Sequence, residues 1–366
     1  MKILLIGPHE NKGSLPPYLD VLAEGLRAHG AEVDRLGTPG VPYDTENDRF
    51  RSAESIVNEA RTLLEQADLT RYDVLSVHFG NLEVEQLLPA LWAGQPRPPA
   101  VYHVHSLAWT LFEEHVPSPG LRAQVSEGIR SMDGFLCFGT YGMEAIAGLG
   151  RPGTPARVSF LPTTITDGIA LPPRPAPVPG APPQASLYGF PAPWKNMPGL
   201  LEAFRLMRHP MVFTLAGGPG WLDPDQTGAQ LKPGPTRYGP VELIVRDQYM
   251  GVADRVALVA GTDLAIFPYQ PIKTFQGTGA LADYARHQVP VLATDVANMA
   301  ELVGPAGRIV PPDDPAALAA EIDRFISDPT HRAALNEAAT TRAEWFSTLH
   351  HAATCLTFYR EVMNRA

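Results

Sequence analysis

Cysteine is nearly missing from this chain: Cys137 and Cys355 are the only two in 366 residues. Two thiols so far apart make no disulfide framework and no zinc spacing, and they lead us to expect a reduced, cytoplasmic setting. No apolar run reaches the roughly 20 residues that a membrane helix needs. The opening MKILLI gives way at once to Gly7-Pro8-His9, so it reads as a first strand rather than a leader. Basic residues are outnumbered, 29 Lys+Arg against 39 Asp+Glu, and residues 1–165 alone hold 13 against 20. An acidic surface repels nucleic-acid phosphates and anionic headgroups, so neither is an expected partner. The chain has no GxGxxG after its first strand and no Walker signature, which argues against a nicotinamide or P-loop enzyme. Asp223-Pro224-Asp225 imitates a metal-binding Asp-x-Asp but lies in a Pro/Gly-rich loop. No metal and no cofactor are expected.

What is present is alternation. Lys2 to Ile6, Val74 to Val77, Ala100 to Val104 and Gly134 to Phe138 are short buried-strand candidates. Leu15 to His29 has helical periodicity and stops at Gly30, and Glu83 to Trp92 also reads as helix-like. Leu171 to Pro183 then places seven prolines in thirteen residues. Proline lacks a ladder donor, so this stretch reads as a stiff connector. The pattern restarts with strands at Ala185–Tyr188, Met211–Ala216, Leu264–Pro268 and Val289–Ala293. Helices are expected at Pro198–Met207, Gly279–Arg286 and Ala316–Ile326, and over most of Arg332–Val362. Strands alternating with helices predict parallel sheets covered on both faces. The expected class is α/β, with two Rossmann-like doubly wound domains facing across a cleft. The boundaries are 1–165, a linker 166–184, a second domain 185–345, and a final helix 346–366 crossing back to the first.

Ligands bind such sheets just beyond the carboxyl ends of the strands, where helix N-termini suit phosphate. Loops after strands therefore supply the candidates. Gly277-Thr278-Gly279 follows a strand and opens a helix, an arrangement that lets backbone N–H groups approach a diphosphate. Its plain alternative is a turn with an N-cap. Lys195 precedes a helix, and Gly217 ends a strand; a solvated lysine and a tight turn are the competing readings. In the first half, Gly13, His9, His78 and His105 each follow a strand, although a lone histidine there is more often structural.

The segment LAIFPYQPIKTFQGTGALADYARHQVPVLATD resembles the donor-binding region of family-4 glycosyltransferases, retaining enzymes of the GT-B fold that use nucleotide sugars. Their helix reads Glu-Ala-x-Ala-x-Gly-x-Pro-Val where this chain has Asp283 to Val291. The resemblance implies that Asp283 holds the nucleotide ribose. The family's second glutamate, eight positions earlier, is Phe275 here. Tyr188 to Asn196 is similar to the family's Gly-Arg-x-x-x-x-Lys-Gly, with Lys195 in place and Phe190 at the arginine position. Leu215 to Gly218 resembles a strand-ending Ala-Gly, and Asp313-Asp314-Pro315 resembles a late helix start. Glu344-Trp345-Phe346 resembles the family's final aromatic helix start. By the same resemblance His105 faces the donor sugar and Gly13 lies in an acceptor-side loop; His9 and His78, which also follow strands, are candidates to line the acceptor cleft.

The implied activity is transfer of a sugar from a nucleotide sugar to a small-molecule or saccharide acceptor, with retention. Lys195 and His105 are the catalytic candidates; Lys195, Gly217, Gly277, Thr278, Gly279 and Asp283 bind the donor. Cations and N–H groups placed at the leaving phosphate would carry catalysis without a metal. Other readings remain open: an inverting transferase using His9 as base, a GT-B epimerase, or a non-catalytic nucleotide-sugar binder.

Overall fold

The computed structural model describes residues 1–9, 14–38, 43–44, 49–50, 52–80, 83–107, 119–165, 180–272 and 276–365. The expectations placed on Gly13, on Phe275 and on most of the proline-rich connector lie outside these residues.

The chain forms two compact units. The first comprises Met1–Phe160, Lys273–Gln276 and Thr348–Ala366. Its six-stranded sheet uses β1 (Lys2–Ile6), β2 (Glu32–Leu36), β5 (Val74–Phe79), β6 (Ala100–Val104), β7 (Gly134–Cys137) and β8 (Ala156–Val158), in the order β2-β1-β5-β6-β7-β8. All five pairings are parallel. A separate two-residue pair, β3 (Tyr43–Asp44) with β4 (Arg49–Phe50), stands apart from it. Strands β5, β6 and β7 are buried throughout, as parallel strands covered on both faces must be. The helix Leu15–Ala28 packs on the C-terminal helix Thr348–Met363. A Cβ on Gly25 would come within 2.9 Å of Ala352 and Thr348, so only glycine permits this approach. The helix expected around Glu83 to Trp92 is a 3₁₀ turn, Val84–Leu87, running into one α-turn, Leu88–Leu91. Pro89 in the middle removes the donor a regular helix would need.

The second unit comprises Leu161–Ile272 and Gly277–Ser347. Its seven strands are β9 (Gln184–Tyr188), β10 (Met211–Gly217), β11 (Thr236–Tyr238), β12 (Val241–Tyr249), β13 (Leu264–Phe267), β14 (Val291–Thr294) and β15 (Gly307–Val310). They stand in the order β11-β12-β10-β9-β13-β14-β15, parallel except for the β11–β12 pair. The strand order reverses between β9 and its neighbours β10 and β13. Doubly wound sheets open a crevice at such a point. The architecture is α/β with Rossmann-like sheets, as the alternation predicts.

Local chemistry sets the helix starts. Asn196, in the left-handed region at φ 53°, accepts from Gly199 N at 3.1 Å and caps the helix Met197–Leu206. Asp314 accepts from Ala317 N at 2.9 Å and caps Pro315–Ser327. Asp223 likewise caps the short helix Pro224–Thr227 by accepting from Asp225 N at 2.9 Å. That is a structural job for the false metal motif.

Candidate functional site

The loops that follow β9, β10 and β13 of the second unit meet where the strand order reverses. Two glycines make this possible. Gly189 (φ +133°) follows β9 and Gly217 (φ +116°) ends β10, and a Cβ on Gly217 would meet Gly189 N at 2.3 Å. Positive φ and this backbone approach both demand glycine. Trp221 closes the turn, its ring N–H donating to Gly189 O at 3.1 Å and to Ala216 O at 3.2 Å.

Lys195 ends the 3₁₀ turn Pro193–Lys195 after β9 and is buried, with 4% of its surface exposed. Its ammonium lies 5.2 Å from the Trp221 ring centre, 5.7 Å from Trp194 and 5.9 Å from Tyr269. A Cβ on Gly189 would fall 2.6 Å from Lys195 Nζ, so the strand-end backbone forms the remaining wall. Gln270 N donates to Trp194 O at 2.8 Å and ties the loop after β13 to the loop after β9. Among the described residues no carboxylate pairs with the ammonium. Burial pushes the Lys195 pKa down to about 7. Aromatic faces attract a cation but supply no counter-charge. The ammonium is thus buried at the end of a parallel strand, among three rings and without a counter-charge among the described residues. The surface-charge reading of Lys195 is thereby corrected.

Phe190, at the position where the resembled family has arginine, is exposed and lies 6.5 Å, centre to centre, from Tyr249. Thr278 occupies the N-cap position of the helix Gly279–Arg286 without a side-chain cap bond, and no acidic residue lies in that helix's first turn. A Cβ on Gly279 would meet nothing within 4 Å, whereas one on Gly277 would meet Leu302 at 2.9 Å. The N-terminus of this helix therefore presents its dipole after β13, beside the strand whose loop carries Lys195.

Asp283 requires a correction. The sequence placed it to hold ribose hydroxyls, but the structure buries it completely. Its Oδ1 accepts from Thr163 Oγ1 at 2.6 Å and from Thr164 N at 2.7 Å. Oδ2 accepts from the Tyr188 hydroxyl, and Arg255 Nη1 stands 3.4 Å away. With its oxygens taken by the chain's own donors, Asp283 ties the segment 163–165 to the helix Gly279–Arg286. Thr163, Thr164, Tyr188 and Arg255 were not singled out from the sequence. Nor were Trp194, Trp221 and Tyr269, which meet around Lys195 only once three loops converge.

In the first unit His105 follows β6, half-buried, and its Nε2 lies 3.2 Å from His78 Nδ1. Burial pulls the His105 pKa down to about 3, so the ring is neutral. His78 is also corrected: it is wholly buried and bonded to Ser76 Oγ at 2.7 Å, a core group rather than an acceptor-side one. His9 follows β1, with its backbone N–H on Thr38 O at 2.9 Å.

Known proteins resemble this chain in sequence and in fold. The family model described as "Glycosyl transferases group 1" matches residues 186–328. The O-antigen chain mannosyltransferase B of Escherichia coli is 29% identical over 170 residues, 44% of this chain and 42% of that protein. The aligned part thus covers about two fifths of the curated relative. Three solved structures share the fold. Sucrose-phosphate synthase from Thermosynechococcus elongatus superposes with a TM-score of 0.71 at 16% identity, covering 100% of both chains. HepE from Anabaena in complex with UDP gives 0.66 at 17% identity, covering 99% of this chain and 100% of its own. A glycosyltransferase from Rickettsia africae gives 0.67 at 15% identity, covering 100% and 99%. The family match starts inside β9, ends just past the helix Pro315–Ser327, and holds Lys195, Gly217 and Gly277 to Gly279. The matched span thus lies in the unit that carries the caged lysine, and that unit resembles a group 1 glycosyltransferase domain.

Proposed function

We propose that this protein transfers a sugar from a nucleoside-diphosphate sugar to an acceptor hydroxyl, with the donor diphosphate bound at Lys195. The observation that carries the reading is the buried ammonium in its aromatic cage, unpaired with any carboxylate among the described residues. In the reaction the bond between the anomeric carbon and the diphosphate oxygen breaks, and its electron pair leaves with the phosphate. The acceptor oxygen forms the new bond, and its proton passes to the leaving diphosphate, with retention. Lys195 and the N-terminal amides after Thr278 meet the charge that develops on that oxygen, which is where pre-placed charge accelerates transfer most. With that charge met by a lysine, the step needs no divalent cation. His105, neutral at the end of β6, offers a hydrogen bond rather than a proton store. Among the described residues no helix is long and apolar enough to cross a membrane. With both cysteines free and buried, we place the activity in a reducing cytoplasm on a soluble acceptor.

The test is a calorimetric screen of UDP, GDP and ADP and their sugars, with UDP first because HepE was solved with UDP and with UDP-glucose. Donor turnover would then be followed by NMR of the anomeric product. Binding of none of them would overturn the reading. Phe190, exposed where the resembled family has arginine, favours a second one, a nucleotide-sugar binder without turnover, which binding without hydrolysis or transfer would establish.

A further inference from the structure

The core of the first unit contains an unusual concentration of polar side chains. Ser76, His78, His103, His351, Cys355 and Tyr359 are wholly buried, and Tyr18 and Ser159 nearly so. They come from the helix Leu15–Ala28, from β5 and β6, from the residue after β8, and from the C-terminal helix Thr348–Met363. His103, His351 and Cys355 each offer a ligand atom, all within 4.8 Å of one another.

We propose that His103, His351, Cys355 and Tyr18 form a buried structural zinc site that clamps the C-terminal helix onto the first unit. His351 and Cys355 are four residues apart, so the C-terminal helix presents both on one face. His351 Nε2 lies 3.5 Å from Cys355 Sγ and 2.8 Å from the Tyr18 hydroxyl oxygen, which in turn lies 3.0 Å from His103 Nδ1. Edges of a tetrahedral zinc site with nitrogen and sulfur ligands are about 3.3–3.6 Å. These three separations, 3.5, 2.8 and 3.0 Å, lie within about half an ångström of such edges, and small rotamer shifts close the gap.

The groups behind the ligands point the same way. Each histidine directs one ring nitrogen to the centre and fixes the other on a hydroxyl: His103 Nε2 on Tyr359 at 2.8 Å, His351 Nδ1 on Ser159 Oγ at 2.8 Å. Ligating histidines are held in this way, which sets tautomer and ring orientation. Charge also balances. Zinc binding displaces the thiol proton of Cys355 and the phenol proton of Tyr18, so two negative ligands neutralise the dication in a dry site. With four protein donors and no exposed position, the site is structural rather than catalytic. It is separate from the caged lysine and does not rest on the transferase reading.

The experiment uses the full chain, made without a histidine tag and with zinc present during synthesis. One zinc per chain should remain after gel filtration. The cobalt-substituted protein should show a thiolate-to-cobalt charge-transfer band that Cys355→Ser abolishes and Cys137→Ser retains. His351→Gln should weaken binding at least about 100-fold, since even groups behind metal ligands cost 10–100-fold when removed. Urea unfolding guards against misfolding: zinc should raise the wild-type midpoint relative to chelator and leave that of Cys355→Ser unchanged. A wild-type chain without stoichiometric metal, a cobalt band that survives Cys355→Ser, or a zinc-insensitive wild-type midpoint would each overturn the site and leave a hydrogen-bonded core.

Discussion

Thr163 and Asp283, 120 positions apart, share a hydrogen bond of 2.6 Å in a fully buried setting, Thr163 donating. The same carboxylate also takes the Thr164 N–H and the Tyr188 hydroxyl. Removing it strands several donors and leaves Arg255 without its carboxylate partner, holding only the Thr164 hydroxyl at 2.7 Å among the described residues. Breaking a buried charged pair from one side costs about 3–5 kcal/mol. Asp283→Ala should lower the urea-unfolding free energy of the chain by that order, and Asp283→Asn by less. Wild-type affinity for a 2′-deoxy nucleotide should stay within a few-fold of that for the ribonucleotide. A tenfold loss would return Asp283 to the ribose.

Lys195 makes donor binding depend on pH. Its free-state pKa is about 7, and a bound diphosphate raises it by adding the missing counter-charge. Below pH 7 the ammonium is already charged and affinity is flat. Above it, binding must take up a proton, so affinity for a nucleotide sugar should fall by about tenfold per pH unit. Calorimetry at pH 6.5, 7.5 and 8.5 checks the slope, and a series of buffers with different ionisation heats checks the proton uptake. Lys195→Arg should flatten the profile. Lys195→Ala should cut turnover about 100-fold or more. A pH-independent affinity in the wild type would mean that the anion does not meet Lys195.

Sequence legibility tracked how local each signal is. Alternating strands and helices were readable because apolar runs, Gly30 and the Asp314-Pro315 cap are short-range features. Lys195, Gly217 and Gly277 to Gly279 could be placed after strands because turn glycines and helix starts are local signals. Asp283 was assigned to the right helix and the wrong surroundings, because its fate depends on Thr163 and Arg255, distant in sequence. Periodicity does not name the partner of a buried carboxylate. His103, His351 and Cys355 escaped for the same reason: the first lies about 250 positions before the other two.

Glu85 gives the first unit a second pH response. Its carboxyl is fully buried, accepts from Thr38 N at 2.6 Å and Thr38 Oγ1 at 2.9 Å, and is pushed up to about 7, mainly by burial. The folded state holds the proton more tightly than the unfolded chain, whose pKa is near 4.5. This contribution is therefore complete below pH 4.5 and lost as pH rises through 7. Glu85→Gln keeps an acceptor for Thr38 and removes the titration. The variant should gain stability relative to wild type between pH 5 and pH 8, by up to about 3 kcal/mol. A constant difference across that range would show that Glu85 is not protonated in the fold.

Gly189 tests whether the wall of the lysine cage matters. It holds φ +133°, which an L-residue adopts only under strain, and an added Cβ would fall 2.6 Å from Lys195 Nζ. Local backbone strain of this kind costs about 1–3 kcal/mol. The ammonium is the mobile end of a long side chain, so it would yield by moving out of the cage rather than by breaking the strand. Gly189→Ala should therefore weaken nucleotide-sugar binding about tenfold or more while the protein stays folded. The decisive comparison is a double-mutant cycle with Lys195→Ala. If the methyl acts by displacing the ammonium, Gly189→Ala should do little further harm once Lys195 is gone. An equal loss in both backgrounds would place the effect in the backbone at the end of β9, and the cage wall would then shape the diphosphate site directly.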